Sequence, residues 1–496
     1  MLRSASRTVR SQVRALVQQR QLQRTLTNQA SPVQETDNVR QINRLMAEVR
    51  GNHPQKLKVR MPTRLAPKRS WATEVQSRES SPILTEVKPL QLTPELEAKL
   101  LTPKRMQDSY VELYLPFTED PELLERYIAT SGLIRLGKVL EDLDTLAGNI
   151  SYQHALGSLP RAGDASAPIY IVTASVDRLD LLEPLTADAN YRLSGHVIYV
   201  GASSMEVFVT IEQLNERNGP NKVCLTGRFT MAARNATTLR SQKIAPLIAD
   251  TDAERALFAM GESHKNRKRQ EAASSLEKVP PSKEEAFLLH RQYVRGLKAG
   301  MFENDEVHGA PLRLEPAATD EGKQVFPVRK TFLSTTMHMH PQQRNVHQKI
   351  FGGFLMRSAY ELAWMVAASM VNRHVQFLSL DALSFHAPVP IGAMLQLSSQ
   401  ITYTSDPDTP GAHSIAAVSV LAEVVDLETG DRKKSNTFHF SFDLGDTECR
   451  VLPQSYKEAM EFIEGKRRVE LGSEMRRLYL GVGEEPHADQ PETFSE

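Results

Sequence analysis

The chain has 496 residues, 40% apolar and 24% charged, so at roughly 150 residues per domain about two to four units are expected rather than one core. Sixty basic and sixty acidic residues balance to zero, which gives no electrostatic ground for a nucleic-acid partner, and no apolar run approaches the ~20 residues of a transmembrane helix. The two cysteines, Cys224 and Cys449, lie far apart without CxxC spacing, so neither a disulfide framework nor a metal site is indicated.

Residues 1–34 carry arginine at 3, 7, 10, 14, 20 and 24 and no acid before Glu35. Arg3, Arg7, Arg10 and Arg14 share one helical face while Val9, Val13, Leu16 and Val17 share another, the pattern of a mitochondrial transit peptide and hence of a matrix protein. Its removal leaves 54 basic against 60 acidic residues, a net charge of −6. Residues 35–104 are polar and interrupted by proline, with one helix signal at QLTPELEAKLL, where Thr93 caps and Pro94 takes the first position; they read as an extension.

Residues 105–235 hold a strand (DSYVELYLPF), a long helix (SGLIRLGKVLEDLDTLAGNISY) and β-rich runs punctuated by Gly201, Asn218 and Gly219. Residues 236–325 form a charged, partly helical linker, with helices expected in DAERALFAMGES and SKEEAFLLHRQYVRGL. The first plan then returns over 326–446: a strand (VFPVRKTFLSTTMHM), a helix (IFGGFLMRSAYELA and beyond) and four strands ending in SNTFHFSFDL. Residues 447–496 read as a tail.

The repetition is quantitative. Leu136, Leu140, Leu143, Ala147 and Ile150 make one helical stripe, and Gly352, Met356, Ala359, Ala363 and Val366 repeat its steps 216 residues later. A strand, one apolar helix and a run of strands is an α+β unit in which an antiparallel sheet wraps a central helix. Two copies are expected to pack as an internal pseudo-dimer.

No GxSxG, P-loop, HExxH or complete dinucleotide fingerprint is present, so the chemistry is sought where the two helices differ. In the first, Asp144 lies about 80° from Leu136, at the border of the apolar stripe, where a half-buried carboxylate gains basicity. Glu141 and Asp142 are expected on the polar side. In the second, the equivalent residue is Tyr360, with Glu361 turned away. Asn345 precedes the second helix, and its counterpart is Ala129. One repeat thus has the acid and the other the amide, so they meet only across the two repeats. The pair Gly352 and Gly353 opens the second helix, where glycine implies that something approaches the backbone closely.

With Asn345, the IFGG of 350–353 and the acid slot seven residues on, the chain resembles the acyl-coenzyme A thioesterases of the hotdog fold, and of these the mitochondrial double-hotdog kind. RMQDSYVELYLP, GKVLEDLDTLAG, SGHVIYVGASSMEV, HPQQRNVHQKIFGGFLMRSAYELAW and LPQSYKEAMEFIEG carry the match from about residue 105 to 465. The resemblance implies two hotdog domains, 105–235 and 326–446, and hydrolysis of acyl-coenzyme A thioesters to fatty acid and coenzyme A without a cofactor. It implies one composite site built from Asp144, as general base or nucleophile, and Asn345, which orients water or carbonyl, with a degenerate reciprocal site. The helix N-terminus at Gly352 and Gly353 is then the oxyanion hole. Arg344 and Lys349 are candidates for contacts with coenzyme A phosphates. His338, His340 and His347 read as surface or structural residues, and Trp364 as packing. Lys349 and Gln348 before IFGG, and Leu136–Gly137 in place of a double glycine, depart from the common pattern. The resemblance also implies assembly above the monomer. The contrasting expectation is a non-catalytic acyl-coenzyme A-binding or regulatory protein of the same fold.

Overall fold

A computed structural model describes residues 39–51, 57–59, 92–158, 167–215, 221–301, 314–320, 322–345, 349–405 and 413–480. The transit-peptide expectation over 1–34 and His347 and Gln348 lie outside them. Among the described residues no helix is long and apolar enough to cross a membrane.

Each half is a strand, a helix and four antiparallel strands. In the first, β2 (Val111–Leu115) precedes the helix α3 (Leu136–Leu156) and the strands β3 (Ile169–Leu181), β4 (Tyr191–Val200), β5 (Ser204–Gln213) and β6 (Lys222–Asn235). In the second, β8 (Leu333–His338) precedes α6 (Gly352–Val371), β9 (Gln376–Phe385), β10 (Met394–Thr404), β11 (Ser414–Val425) and β12 (Arg432–Gly445). With β1 (Leu57–Val59) at one edge, they form one sheet in the order β1-β2-β4-β5-β6-β3-β9-β12-β11-β10-β8. Read inward from β2 and from β8, the two runs are the same: first strand, third, fourth, fifth, second. They join where β3 meets β9 antiparallel, with Leu179 opposite Leu380 and Val176 opposite Leu383.

The shared stripe explains the layering. Leu140, Leu143 and Ile150 of α3 and Met356, Ala359 and Val366 of α6 are fully buried in one continuous core beneath the sheet. A buried Leu or Ile contributes about 1.5–3 kcal/mol, so each stripe anchors its helix to its own half. The helices also pack on each other, with Gly353 beside Glu141 and Gly137 beside Arg357 and Tyr360. Their ends follow local rules at the C-terminus, where Gly157 (φ 74°) and Asn372 (φ 52°) take the left-handed conformation. At the N-terminus neither Arg135 nor Phe351 supplies a side-chain cap.

Four expectations need correction. The extension holds a second helix, α1 (Val39–Gly51), whose Ile42, Met46 and Val49 recur at helical spacing and bury against Leu257 and Met260 of α4 (Asp252–Ala273). The expected strand 325–339 is interrupted: β7 (Lys323–Pro327) pairs in a separate small sheet with β13 (Cys449–Leu452), a 3-10 turn follows, and only then does β8 begin. The tail is structural, since α7 (Tyr456–Leu480) buries Phe462, Ile463, Val469 and Met475. Glu141 and Asp142 are buried, not solvated: α6 covers α3 at Glu141, and the Tyr127 hydroxyl meets Asp142. The helix α2 (Pro94–Leu100) forms as expected, Thr93 accepting from the Leu96 N–H, as does the linker helix α5 (Lys283–Lys298).

Candidate active site

The first-turn N–H groups of an α-helix have no acceptor inside the helix. At the start of α6 no capping Ser, Thr, Asp or Asn is at hand. What faces the helix start comes instead from the other half: the carboxylate of Asp144, in the third turn of α3, lies beside Gly352, and the backbone amide of Gly353 favours its ionised form. A methyl group on Gly352 would lie 3.1 Å from Asp144 Oδ2 and 3.1 Å from the Phe385 ring, and one on Gly353 3.0 Å from both the Cα and the carbonyl oxygen of Glu141. The two glycines are thus required by close approach, of a carboxylate at one and of the α3 backbone at the other.

Asp144 is 4% exposed, and its Oδ1 accepts from Thr173 Oγ1 of β3 at 2.7 Å. Burial pushes its carboxyl up to about 6; the Thr173 hydrogen bond and the nearby Gly353 backbone amide oppose this by favouring the ionised form, and the neighbouring charge of Glu141 adds to the rise. At neutral pH Asp144 is therefore ionised, yet more basic than an ordinary aspartate. Its neighbours are charged in turn: Glu141 Oε2 lies 3.0 Å from Lys138 Nζ and 3.0 Å from Arg357 Nη1, while Asp142 accepts from the Tyr127 hydroxyl at 2.6 Å.

Asn345 lies in the turn that leads into α6. Its N–H donates to the Lys349 carbonyl at 2.7 Å and its Oδ1 accepts from the Lys349 N–H at 3.2 Å. Arg344 bridges to Ile350, and the Phe351 N–H donates to the Gln343 carbonyl, so this turn is folded onto the helix entrance. The structure thus brings Asp144 together with Gly352 and Gly353, whereas the contacts of Asn345 described here are with Lys349. Arg344 Nη1 donates to the Pro341 carbonyl at 2.9 Å. The His338 and His340 rings pack edge to face at 4.6 Å, and Trp364 donates to the Val375 carbonyl, a packing role.

Sequence reasoning missed Thr173 and Phe385. A signal for Thr173 existed: Ile169, Ile171 and Thr173 share one parity of β3, so a hydroxyl stands where the strand otherwise presents core residues, just before a bulge between Thr173 and Ser175. No such signal marks Phe385, which meets α6 only through the tertiary fold.

The reciprocal location is differently furnished. A methyl on Gly137 would meet Arg357 Cγ at 2.9 Å and the Tyr360 ring at 3.2 Å. Tyr360 packs edge to face on Phe377 at 5.6 Å and near Phe440 and Phe442, and burial pushes its hydroxyl up. Glu361 reaches Arg135 at the surface at 2.5 Å.

No protein-family model matches the chain. Among curated proteins it is 32% identical over 405 residues to mitochondrial acyl-coenzyme A thioesterase 9 of Mus musculus, covering 80% of this chain and 84% of that protein. It is 34% identical over 375 residues to the Homo sapiens protein of the same name, covering 74% and 78%. Among solved structures, an acyl-CoA hydrolase from Staphylococcus aureus aligns at 21% identity over 32% of this chain and 95% of that one, with a TM-score of 0.28, too low to bear on the fold.

Proposed function

The chain belongs to the acyl-coenzyme A thioesterase family, and on that footing we propose that it hydrolyses acyl-coenzyme A thioesters to the free fatty acid and coenzyme A at one composite site between its two halves. The halves are read as two hotdog domains, 105–235 and 326–446, packed as an internal pseudo-dimer. The single observation that carries the site is the Asp144 carboxylate of one half set against the Gly352–Gly353 helix start of the other.

In this mechanism Asp144, ionised above about pH 6, removes a proton from water attacking the thioester carbonyl, or attacks that carbonyl itself and expels the coenzyme A thiolate to give a mixed anhydride that water then hydrolyses. Thr173 orients the carboxylate and Asn345 holds the water or the carbonyl. The positive end of α6 faces the developing oxyanion, and a donor so placed is worth about 3–4 kcal/mol of barrier. Gly352 and Gly353 together are the proposed oxyanion-side residues, with Asp144 beside Gly352. Arg344 and Lys349, on the turn that leads into α6, are the proposed partners of the coenzyme A phosphates.

The arginine-rich, acid-free first 34 residues and the mitochondrial relatives support a mitochondrial, matrix location, and an assembly above the monomer is proposed with it. The test is thiol release by purified protein over a panel of acyl-coenzyme A chain lengths, for wild type, Asp144→Ala and Asn345→Ala. Binding without release of thiol in the wild type points to a non-catalytic acyl-coenzyme A-binding protein. Full activity in Asp144→Ala removes the residue assignment and leaves the family.

A further inference from the structure

Glu141 and Arg357 hold equivalent positions in the two halves. They are 216 residues apart, the offset that carries Leu136 onto Gly352 and Asp144 onto Tyr360, and Arg357 Nη1 donates to Glu141 Oε2 at 3.0 Å. Equivalent residues of two copies touch only where the axis relating the copies passes. In a dimer of identical units such a position faces itself, as acid against acid or base against base. Only a chain that carries both copies can place opposite charges there.

The pair is also the contact point of the helix crossing. The Glu141 side chain is 1% exposed and that of Arg357 19%. The Cα and carbonyl oxygen of Glu141 would each lie 3.0 Å from a methyl on Gly353, with the Phe351 ring closer still at 2.6 Å. Glu141 is one helical turn before Asp144, so any rotation or slip of α3 against α6 at this pair moves the carboxylate relative to the Gly353 N–H. Removing Arg357 would leave Glu141 with Lys138 as its partner, and the less compensated charge of Glu141 is the one that raises the Asp144 carboxyl.

We propose that the Glu141–Arg357 pair is the positioning element of the Asp144 site, fixing the crossing of α3 and α6 so that the carboxylate meets the Gly353 N–H and setting the electrostatic field at that carboxylate. The proposal deepens the function given above and rests on it for the role of Asp144. Among the described residues the groups around Asp144 are these. The helix α3 supplies Glu141 with its second partner Lys138, and Asp142, which is turned to Tyr127; α6 supplies Arg357. From the strands come only the Thr173 hydroxyl and, beside Gly352, the Phe385 ring. Glu141 is thus the negative charge that raises the Asp144 carboxyl, and Arg357 and Lys138 are the cations paired with it.

The experiment uses full-length Glu141→Gln, Arg357→Met and the charge-swapped double variant Glu141→Arg/Arg357→Glu. Two midpoints are read: the acid limb of kcat/KM against pH, and the Asp144 carboxyl titration, seen as the carbon-13 aspartate signal absent from Asp144→Asn. The expected shifts are about half a pH unit upward for Arg357→Met and about half a unit downward for Glu141→Gln and for the swap. The swap also recovers the thermal stability that Arg357→Met loses. A plain brace between helices gives another pattern, in which kcat/KM falls with stability while both midpoints stay put. Carboxyl midpoints agreeing within about 0.2 pH units across the variants overturn the proposal. If the carboxyl midpoint moves and the activity profile does not, the positioning role stands and the catalytic role of Asp144 falls. Should the swap fail to fold, the two single variants decide by the same readings.

Discussion

The two ends of the helix crossing are built from the same plan and furnished oppositely. At one, Asp144 is hydrogen-bonded to Thr173 of β3 and lies against the first turn of α6, beside two glycines. At the other, Tyr360 stands for Asp144 and packs on Phe377 of β9, beside Leu136 and Gly137. Phe377 is the counterpart of Thr173: the bulges of β3 fall between Thr173 and Ser175 and between Val176 and Arg178, and those of β9 between Phe377 and Ser379 and between Leu380 and Ala382, each 204 residues later. Hydroxyl and acid were thus replaced together by two rings. A buried acid beside Phe377 would lack the hydrogen bond that helps hold Asp144 ionised, whereas a ring there joins the Phe440–Phe442 cluster. One end keeps chemistry and the other contributes core.

The sharpest way to break this contrast is Asp144→Asn. Thiol-release activity should fall about 10³-fold, the usual scale for losing a base. Stability should move the other way. The carboxyl lies at about 6 in the fold against 3.8 in the reference state, so between those values the folded chain keeps a proton that the unfolded chain has released, and stability falls as pH rises through that window. Above it the deficit is constant at roughly 3 kcal/mol, an upper bound on what Asn can recover. Thermal unfolding at pH 7.5 should show the variant more stable than wild type, and at pH 3.5 no difference; equal stability at both would mean that burial does not burden the acid.

Gly353→Ala comes next. Its methyl meets the Glu141 backbone at 3.0 Å and the Phe351 ring at 2.6 Å, so the helices must part, costing about 1–3 kcal/mol with a loss of about tenfold or more in kcat, read by denaturant melts and initial rates. Thr173→Val removes the hydroxyl that favours the ionised acid, and the acid limb of the pH profile should rise by about one unit, while Thr173→Ser leaves it in place. An unmoved limb in the valine variant would detach Thr173 from the site. The smallest effect is expected from Tyr360→Phe, which keeps the ring and loses a hydroxyl already disfavoured in its charged form; activity should stay within about twofold because the ring packing persists. A large loss there would show that the second end also takes part in turnover.

Much of this was legible in the residues. The helices, the later strands and the asymmetry of Asp144 and Asn345 follow from periodicity and from laying one repeat on the other, because each half buries its helix under its own strands. The partner of the acid was not legible in the same way. Thr173 lies 29 residues from Asp144 and Phe385 in the other half, and no local pattern pairs them. Glu141 and Asp142 were misjudged because a helical projection assigns polar residues to water, whereas a second helix occupies that side. For α7 the reason is similar: its apolar residues do not form one clean stripe, and only the sheet beneath it shows which are buried.

The sequence by itself determined that the chain holds one α+β plan twice, that the copies differ at the acid and amide positions, and that two adjacent glycines open the second helix. Such features reside in spacing and residue type, which the chain carries locally. The tertiary structure decided which backbone the glycines admit, which hydroxyl steadies the acid and which charges surround it. Those depend on the crossing of α3 and α6, where residues 216 apart come within hydrogen-bond distance, and burial there, not composition, sets how basic a carboxylate becomes.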